Sequence, residues 1–364
     1  MKKLLMKAYC QRSPRGLASL AAMLLLMLAQ PPVQATELVR WEPPFSYEGT
    51  ATPLTYQAAA LPTRPWRLCV VIPHIKDAYW LAVNYGMLEE ARRLGVKLRI
   101  QEAWGYAHLQ RQRDLLQNCA AMNPVDAIIL GTVSYAGLSD IIQTVSRRTP
   151  VFATVNDISN EGLSGKVGVP WYQMGHLIGR YLVKRHQNDT SDIPVAWFPG
   201  PRAAGWVPFV DRGFRDAIRN SPLRIVTTAW GDTDKSVQRN LVQVALDQHP
   251  KVRYLVGNAM MAEAAVSILR EKGREHQTQI LSTYFTPGVY RGIARDKILA
   301  APTDSPVLQG RLSIGQAVDM LEGRPYVRHL GPVIQVIDHA GLPSVDLDAS
   351  LSPPTFSPQF NYVP

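Results

Sequence analysis

The stretch "RLCVVIPHIKDAYWLAVNYGMLEEARRLGVKLRI", residues 67–100, decides the fold. It opens on a short continuous apolar run, "RLCVVIP", and closes on a second, "KLRI". Between them Trp80, Val83, Met87, Ala91 and Leu94 recur at the spacing of one helix face. Runs that are apolar on both faces belong to strands covered on both sides, and two of them joined by a helix make a parallel pair. Asp77 stands where a helix N-cap accepts backbone N–H groups. Trp80 can be the top of the core stripe. Tyr79 points off that stripe and is harder to explain as a core residue.

The same alternation continues outward. Apolar runs occur at 67–73, 97–103, 126–131, 149–157, 165–170, 193–200, 223–231, 252–258, 279–285 and 298–304. Amphipathic stretches, among them 79–94, 109–122, 171–185, 208–220, 235–248 and 260–271, lie between them. This pattern predicts an α/β protein with two parallel sheets. In such sheets ligands bind beyond the carboxyl ends of the strands. Asp77, Tyr79 and Trp80 follow the first run, Trp104 and Tyr106 the second, Trp171 the fifth and Asn258 the eighth, while Tyr284 and Phe285 end the ninth. The aromatics therefore gather at one edge.

Residues 1–35 read as an export leader: Lys2, Lys3, Lys7, Arg12 and Arg15 precede the apolar run Leu17–Ala29, and Val33-Gln34-Ala35 fits a cleavage site. An uncleaved anchor is the competing reading, but the run is short for a bilayer span of about 20 residues. Cys10 precedes the apolar run and is badly placed for lipid attachment. Loss of the five leader cations lowers Lys and Arg from 39 to 34 against 29 acids, so the net charge drops from +10 to +5. Arg147-Arg148 and Lys184-Arg185 are isolated pairs, and no cationic arm marks a nucleic-acid binder. The remaining chain, about 330 residues, exceeds what one core usually organises, so two lobes are expected.

Cys69 opens the first strand and Cys119 ends the helix after the second, a helix that in a 2-1-3 strand order crosses back over the first. In an exported chain this pair predicts a disulfide, with two buried thiols as the alternative. Residues 36–65 hold five prolines without periodicity and read as an extended arm. Nucleophile elbows, metalloprotease helices, P-loops and dinucleotide fingerprints are absent from the sequence. The eight histidines show no metal-ligand spacing, and His74, near the ligand edge, reads as structural. Asp232 and Asp234 in "WGDTDKS" read as a helix entry, with Asp234 the cap. No catalytic or metal residue and no cofactor is predicted.

The element order resembles the periplasmic binding proteins of the ribose-binding type. "VIPHIKDAYWLAVNYGMLEEARRLGVKLRI" looks like that family's first strand, helix and second strand, and "VGVPWYQMGHLIGRYL" like its entry to the second lobe. "VRYLVGNAMMAEAAVSIL" and "ILAAPTDSPVLQGRLSIGQAVDMLEGRP" look like its late strand and return crossovers. The resemblance implies two Rossmann-like lobes joined by a three-crossover hinge and closing on a small ligand. On it the boundaries are expected at 66–158 plus 285–305 for lobe 1 and 159–284 plus 306–342 for lobe 2, with a tail at 343–364.

The departures from that family bear on the ligand. Pro170-Trp171 and Tyr284 stand where its sugar binders often carry acids, and "VGNAMMAEAA" lacks an acid after Asn258. Ring faces are negative and favour a methylated cationic nitrogen, each ring adding about 0.5–2 kcal/mol. At "AWGYAHLQRQ", "SPLRIVTTAWGDTDKSVQRNLVQ" and "YFTPGVYRG" the chain is similar to family members that detect trimethylamine N-oxide and report it to a membrane sensor histidine kinase. That resemblance implies a ligand set of Asp77, Tyr79, Trp80, Tyr106, Trp171 and Tyr284, a periplasmic location, and an inner-membrane association made only through the kinase's periplasmic sensor domain. Plainer roles stand beside these: Asp77 as cap, Trp171 as first-turn packing, Tyr106 as loop anchor, and Trp104 and Tyr85 as packing residues. The alternative function is a sugar or small-polyol component of an ABC transporter. A transcription regulator with this core needs an N-terminal helix-turn-helix where the leader stands.

Overall fold

The computed structural model describes residues 37–364, so the expected leader lies outside the described residues. The described residues begin with a hairpin, β1 (Glu37–Glu42) and β2 (Thr50–Thr55). It continues through β3 (Arg67–Ile72), α1 (Ala78–Leu94), β4 (Lys97–Glu102), α2 (Leu109–Ala121), β5 (Ala127–Leu130), α3 (Ser139–Val145), β6 (Val151–Val155) and β7 (Leu163–Gly168). The next group is α4 (Trp171–Arg185), β8 (Ile193–Phe198), α5 (Val207–Ile218), β9 (Leu223–Thr228), α6 (Lys235–Gln248), β10 (Tyr254–Gly257), α7 (Ala259–Glu271), β11 (Gln279–Ser282), α8 (Pro287–Ala294) and β12 (Ala300–Thr303). Then follow α9 (Pro306–Leu321), β13 (His329–Pro332), β14 (Gln335–Asp338), α10 (Leu347–Ser350) and β15 (Asn361–Tyr362).

All ten apolar runs become strands. The first sheet has the order β15-β4-β3-β5-β6-β7-β13-β1-β2, and the second β11-β10-β8-β9. Within the first sheet β3 pairs in parallel with β4 and β5, and Leu68 to Ile72 are buried, as expected for a central strand with both faces covered. Asp77 caps α1 by accepting from the Trp80 N–H at 3.0 Å, and Gly95, at φ 63, ends the helix with its N–H on the Ala91 and Arg92 carbonyls. The β4-β3-β5 order brings Cys69 and Cys119 together in a disulfide with Cα atoms 5.9 Å apart. On the chain-entropy model, closing that loop contributes about 4 kcal/mol.

The lobe boundaries differ from the expected ones. β7, expected to open the second lobe, pairs in parallel with β6 and so belongs to the first sheet. Residues 306–332 also belong there: β13 pairs with β7, and α9 lies against α1. That helix crossing explains two glycines, because a Cβ at Gly86 would collide with the Val307 carbonyl and one at Gly310 with the Val83 carbonyl. Residues 285–303 join the second lobe instead, with α8 against α7 and the Leu299 N–H donating to the Ile280 carbonyl of β11 at 2.8 Å. The chain thus changes sheets near 169, 304 and 333, which makes the three crossovers. The expected extended arm begins as a β-hairpin whose first strand pairs with β13, and the tail supplies β15 to the opposite edge. No helix among the described residues is long and apolar enough to cross a membrane.

Candidate functional site

The strand ends of both sheets face each other, and the six residues singled out from the sequence meet between them. Tyr79 and Trp80 enter on the first turn of α1, which the Asp77 cap fixes in place. Trp171 enters at the first crossover, on the first residue of α4, and Tyr284 on the loop after β11. The ring centroids of Tyr79 lie 5.4 Å from Tyr284 and 6.2 Å from Trp171, and those of Trp171 and Tyr284 lie 6.3 Å apart. The planes are inclined by 55–80°, so these rings make walls and not a stack. All six residues are buried.

Two members of the site escaped the sequence reading. Trp206, immediately before α5 and 2% exposed, completes the box with its centroid 4.8 Å from Trp171 and 6.2 Å from Tyr284. Asp304 follows β12, is fully buried, and accepts from the Tyr79 hydroxyl at 2.5 Å and the Gln309 amide at 2.7 Å. Both follow the rule that pointed to the others, since Trp206 lies in the loop after β8 and Asp304 directly after β12. The rule applied to those two strands finds them.

The polar groups around the rings are arranged in layers. Asp77 accepts from the Trp80 N–H and, across the lobes, from the Thr233 hydroxyl at 3.3 Å. Lys76 and Asp232 make a second bond between lobes at 2.7 Å, so Asp232 does more than open a helix, while Asp234 caps α6 as expected. The Tyr106 oxygen accepts from the Trp80 indole at 3.1 Å and the Asn156 amide at 3.3 Å. Burial holds the phenols of Tyr79, Tyr106 and Tyr284 well above the ordinary tyrosine range, with Asp304 or Asp77 adding to the effect. They stay protonated hydroxyls. Burial also raises the Asp304 carboxyl above the usual carboxylate range, and its Oδ1 has no partner.

His74, expected to be structural, is buried beside the ring cluster 3.9 Å from Asp77, with both ring nitrogens unpartnered. Burial lowers its pKa, against a smaller upward pull from Asp77. Trp104 is not a packing residue. It is 60% exposed on a left-handed backbone, φ 72, with the Arg111 guanidinium 3.2 Å from its ring centroid. Tyr85 packs against Phe356 of the tail at 5.0 Å. Asn258 caps α7 through the Met261 N–H. Among the described residues no three His, Cys, Asp or Glu side chains gather as a metal site.

Chemically, the arrangement is a buried cluster of four rings drawn from both lobes, flanked by the carboxyl groups of Asp77 and Asp304 and by the Tyr106 hydroxyl. The chain is 37% identical over 345 residues, 93% of its length and 96% of the relative's, to the periplasmic protein TorT of Escherichia coli strain K12. It shares 42% identity and a TM-score of 0.74 with TorT in complex with the TorS sensor domain, solved without ligand and with trimethylamine N-oxide; the match covers 81% of this chain and 100% or 99% of those. An ABC transporter solute-binding protein from Bradyrhizobium sp. BTAi1 with bound bis-tris matches at 42% identity and a TM-score of 0.78, covering 92% of this chain and 100% of that one. The model of the family "periplasmic binding proteins and sugar binding domain of LacI family" matches residues 65–346. With most of its length inside that model and two sheets organising its two lobes, the chain belongs to the periplasmic binding protein family.

Proposed function

We propose that this chain is a periplasmic detector of trimethylamine N-oxide that signals to the sensor domain of a TorS-type membrane histidine kinase, so inducing respiration on that compound. The observation that carries this reading is the box of Tyr79, Trp171, Trp206 and Tyr284 beside Asp77 and Asp304. Trimethylamine N-oxide has a positive nitrogen under three methyls and a negative oxygen. The methyls suit ring faces, and the nearby carboxylates favour the positive end. The oxygen needs a donor in a place otherwise poor in them. Two N–H groups already occupy the acceptor lone pairs of the Tyr106 oxygen, so its own hydrogen is left to serve the oxide. A polyol meets too few partners there, at about 1–3 kcal/mol for each buried group left unpaired. The protein does no chemistry on its ligand.

Binding favours closure because the rings come from both lobes, and the kinase reads the closed geometry. Calorimetry with trimethylamine N-oxide, with and without the kinase sensor domain, tests this reading. Tyr284→Ala and Trp171→Ala each weaken binding by about 2- to 30-fold, the contribution of one ring. Wild-type affinity in both variants would refute the box. The second reading, a polyol transport component, draws on the relative with bound bis-tris, a hydroxyl-rich amine. Heat on titrating ribose or bis-tris, with none for the N-oxide in either setting, would favour transport.

A further inference from the structure

We propose that the kinase sensor domain docks, through a segment bearing apolar side chains and flanking carboxylates, on a groove and a cationic cleft that meet at Arg291. This deepens the kinase-partner reading above and rests on it. The two helices that begin at the box, α1 carrying Tyr79 and Trp80 and α8 starting just after Tyr284, run away from it on opposite lobes. With the tail they frame a groove of about 900 Å³. Its apolar lining includes Leu81 and Tyr85 from the first lobe, Tyr290 from the second, and Leu347, Leu351 and Phe356 from the tail.

Arg291 lies on the rim of this groove and also lines an adjoining cleft of about 300 Å³ between α7 and α8. Lys235, Arg270, Arg295 and Lys297 line the cleft with it, against two acids. Both acids are engaged: Glu263 accepts from the Thr286 hydroxyl at 2.7 Å, and Glu275 pairs with Lys297 at 2.7 Å. Lys235, Arg270, Arg291 and Arg295 form no ion pair among the described residues. Five cations face two acids in this cleft, an excess of positive charge that carboxylates from a partner balance.

Charge complementarity selects the occupant. A free anion satisfies the cleft and leaves the apolar groove in water, and a neutral apolar segment does the reverse. A segment carrying both features fills the joined surface. Because the groove's walls belong to different lobes, its width follows their closure, and the partner senses the box without touching it.

The test is to titrate the wild-type protein, Arg291→Glu/Arg295→Glu and Leu347→Asp with the purified periplasmic sensor domain of a TorS-type kinase at low and high salt. Charge reversal is expected to weaken the complex by at least about tenfold and flatten its salt dependence, and Leu347→Asp to weaken it independently. Melting temperatures and stabilisation by trimethylamine N-oxide should match the wild type. Sensor-domain affinities within about twofold of wild type in both variants overturn the docking surface while leaving the partner reading intact. Loss of sensor affinity together with loss of N-oxide stabilisation also overturns it, since the effect then passes through the box. A wild type that does not bind the sensor domain removes the partner reading, and this surface with it.

Discussion

Trp80 belongs to the core stripe and to the wall of the site at once. It is 1% exposed, its ring rests where a Cβ at Gly131 would collide with it, and its indole N–H is spent on Tyr106. Gly131→Ala should therefore overpack the strand end, lower stability by about 1–3 kcal/mol and tilt Trp80. Melting temperature and N-oxide affinity fall together in that variant; a variant that melts like wild type refutes the close packing. His329 offers a second test. Its Nδ1 accepts from the Phe45 N–H at 3.0 Å, so its unpartnered Nε2 carries the hydrogen. Burial lowers its pKa from 6.5 to about 2, with Lys166 adding to the effect. The unfolded chain takes up this proton below about pH 6.5 and the folded chain does not, so acidification through that window favours unfolding. Relative to His329→Gln, the wild type loses up to about 1.4 kcal/mol per pH unit between about pH 6 and pH 4. Urea midpoints of the two proteins at several pH values measure this, and a pH-independent difference counts against it.

At the scale of elements, the two ends of the described chain close the first sheet. The β1–β2 hairpin extends it beyond β13, and β15 pairs with β4 through Asn361↔Arg99 and Tyr362↔Leu98. The tail is held to α1 as well: Asn84 donates to the Gln359 carbonyl at 3.0 Å, accepts from its N–H at 3.2 Å, and Arg92 donates to its side chain at 2.7 Å. An open edge of unpaired N–H and C=O groups invites pairing with another chain. Truncation after Ser350 is expected to bare β4, lower the melting temperature and promote self-association, seen by size-exclusion chromatography with light scattering. A truncated chain that stays monomeric and melts like the full one would show that the tail is dispensable. Neither element shows in the sequence, because proline-rich segments without periodicity take their strand geometry from the partner strand and not from their own residues.

For the molecule as a whole, the decisive contacts are those that hold the lobes together over the box. Asp77 accepts from Thr233 in a buried bond between the lobes. Thr233→Val keeps the shape and removes that donor, a loss of about 1–3 kcal/mol for a buried acceptor. Affinity for the N-oxide should drop about 5- to 100-fold with every ring in place, by calorimetry. Equal affinity would mean that closure does not depend on Asp77.

Much of this organisation was legible in the chain itself. The apolar runs name the strands, the helix faces and the Asp77 and Asp234 caps follow from periodicity and side-chain chemistry, and the cysteine pairing follows from the order of neighbouring elements. Six aromatic and acidic positions at strand ends could be singled out because ligands in such sheets bind there. What the tertiary structure alone decided was partnership over distance. Local pattern encodes burial and period but not which element becomes a neighbour, so β7 and β13 joined the first sheet by pairing and α9 joined the first lobe through the Gly86–Gly310 helix crossing, against the expected boundaries. Trp206 and Asp304 entered the site, and Trp104 stayed in solvent, for the same reason: a side chain's surroundings are set by the elements that arrive from elsewhere in the sequence.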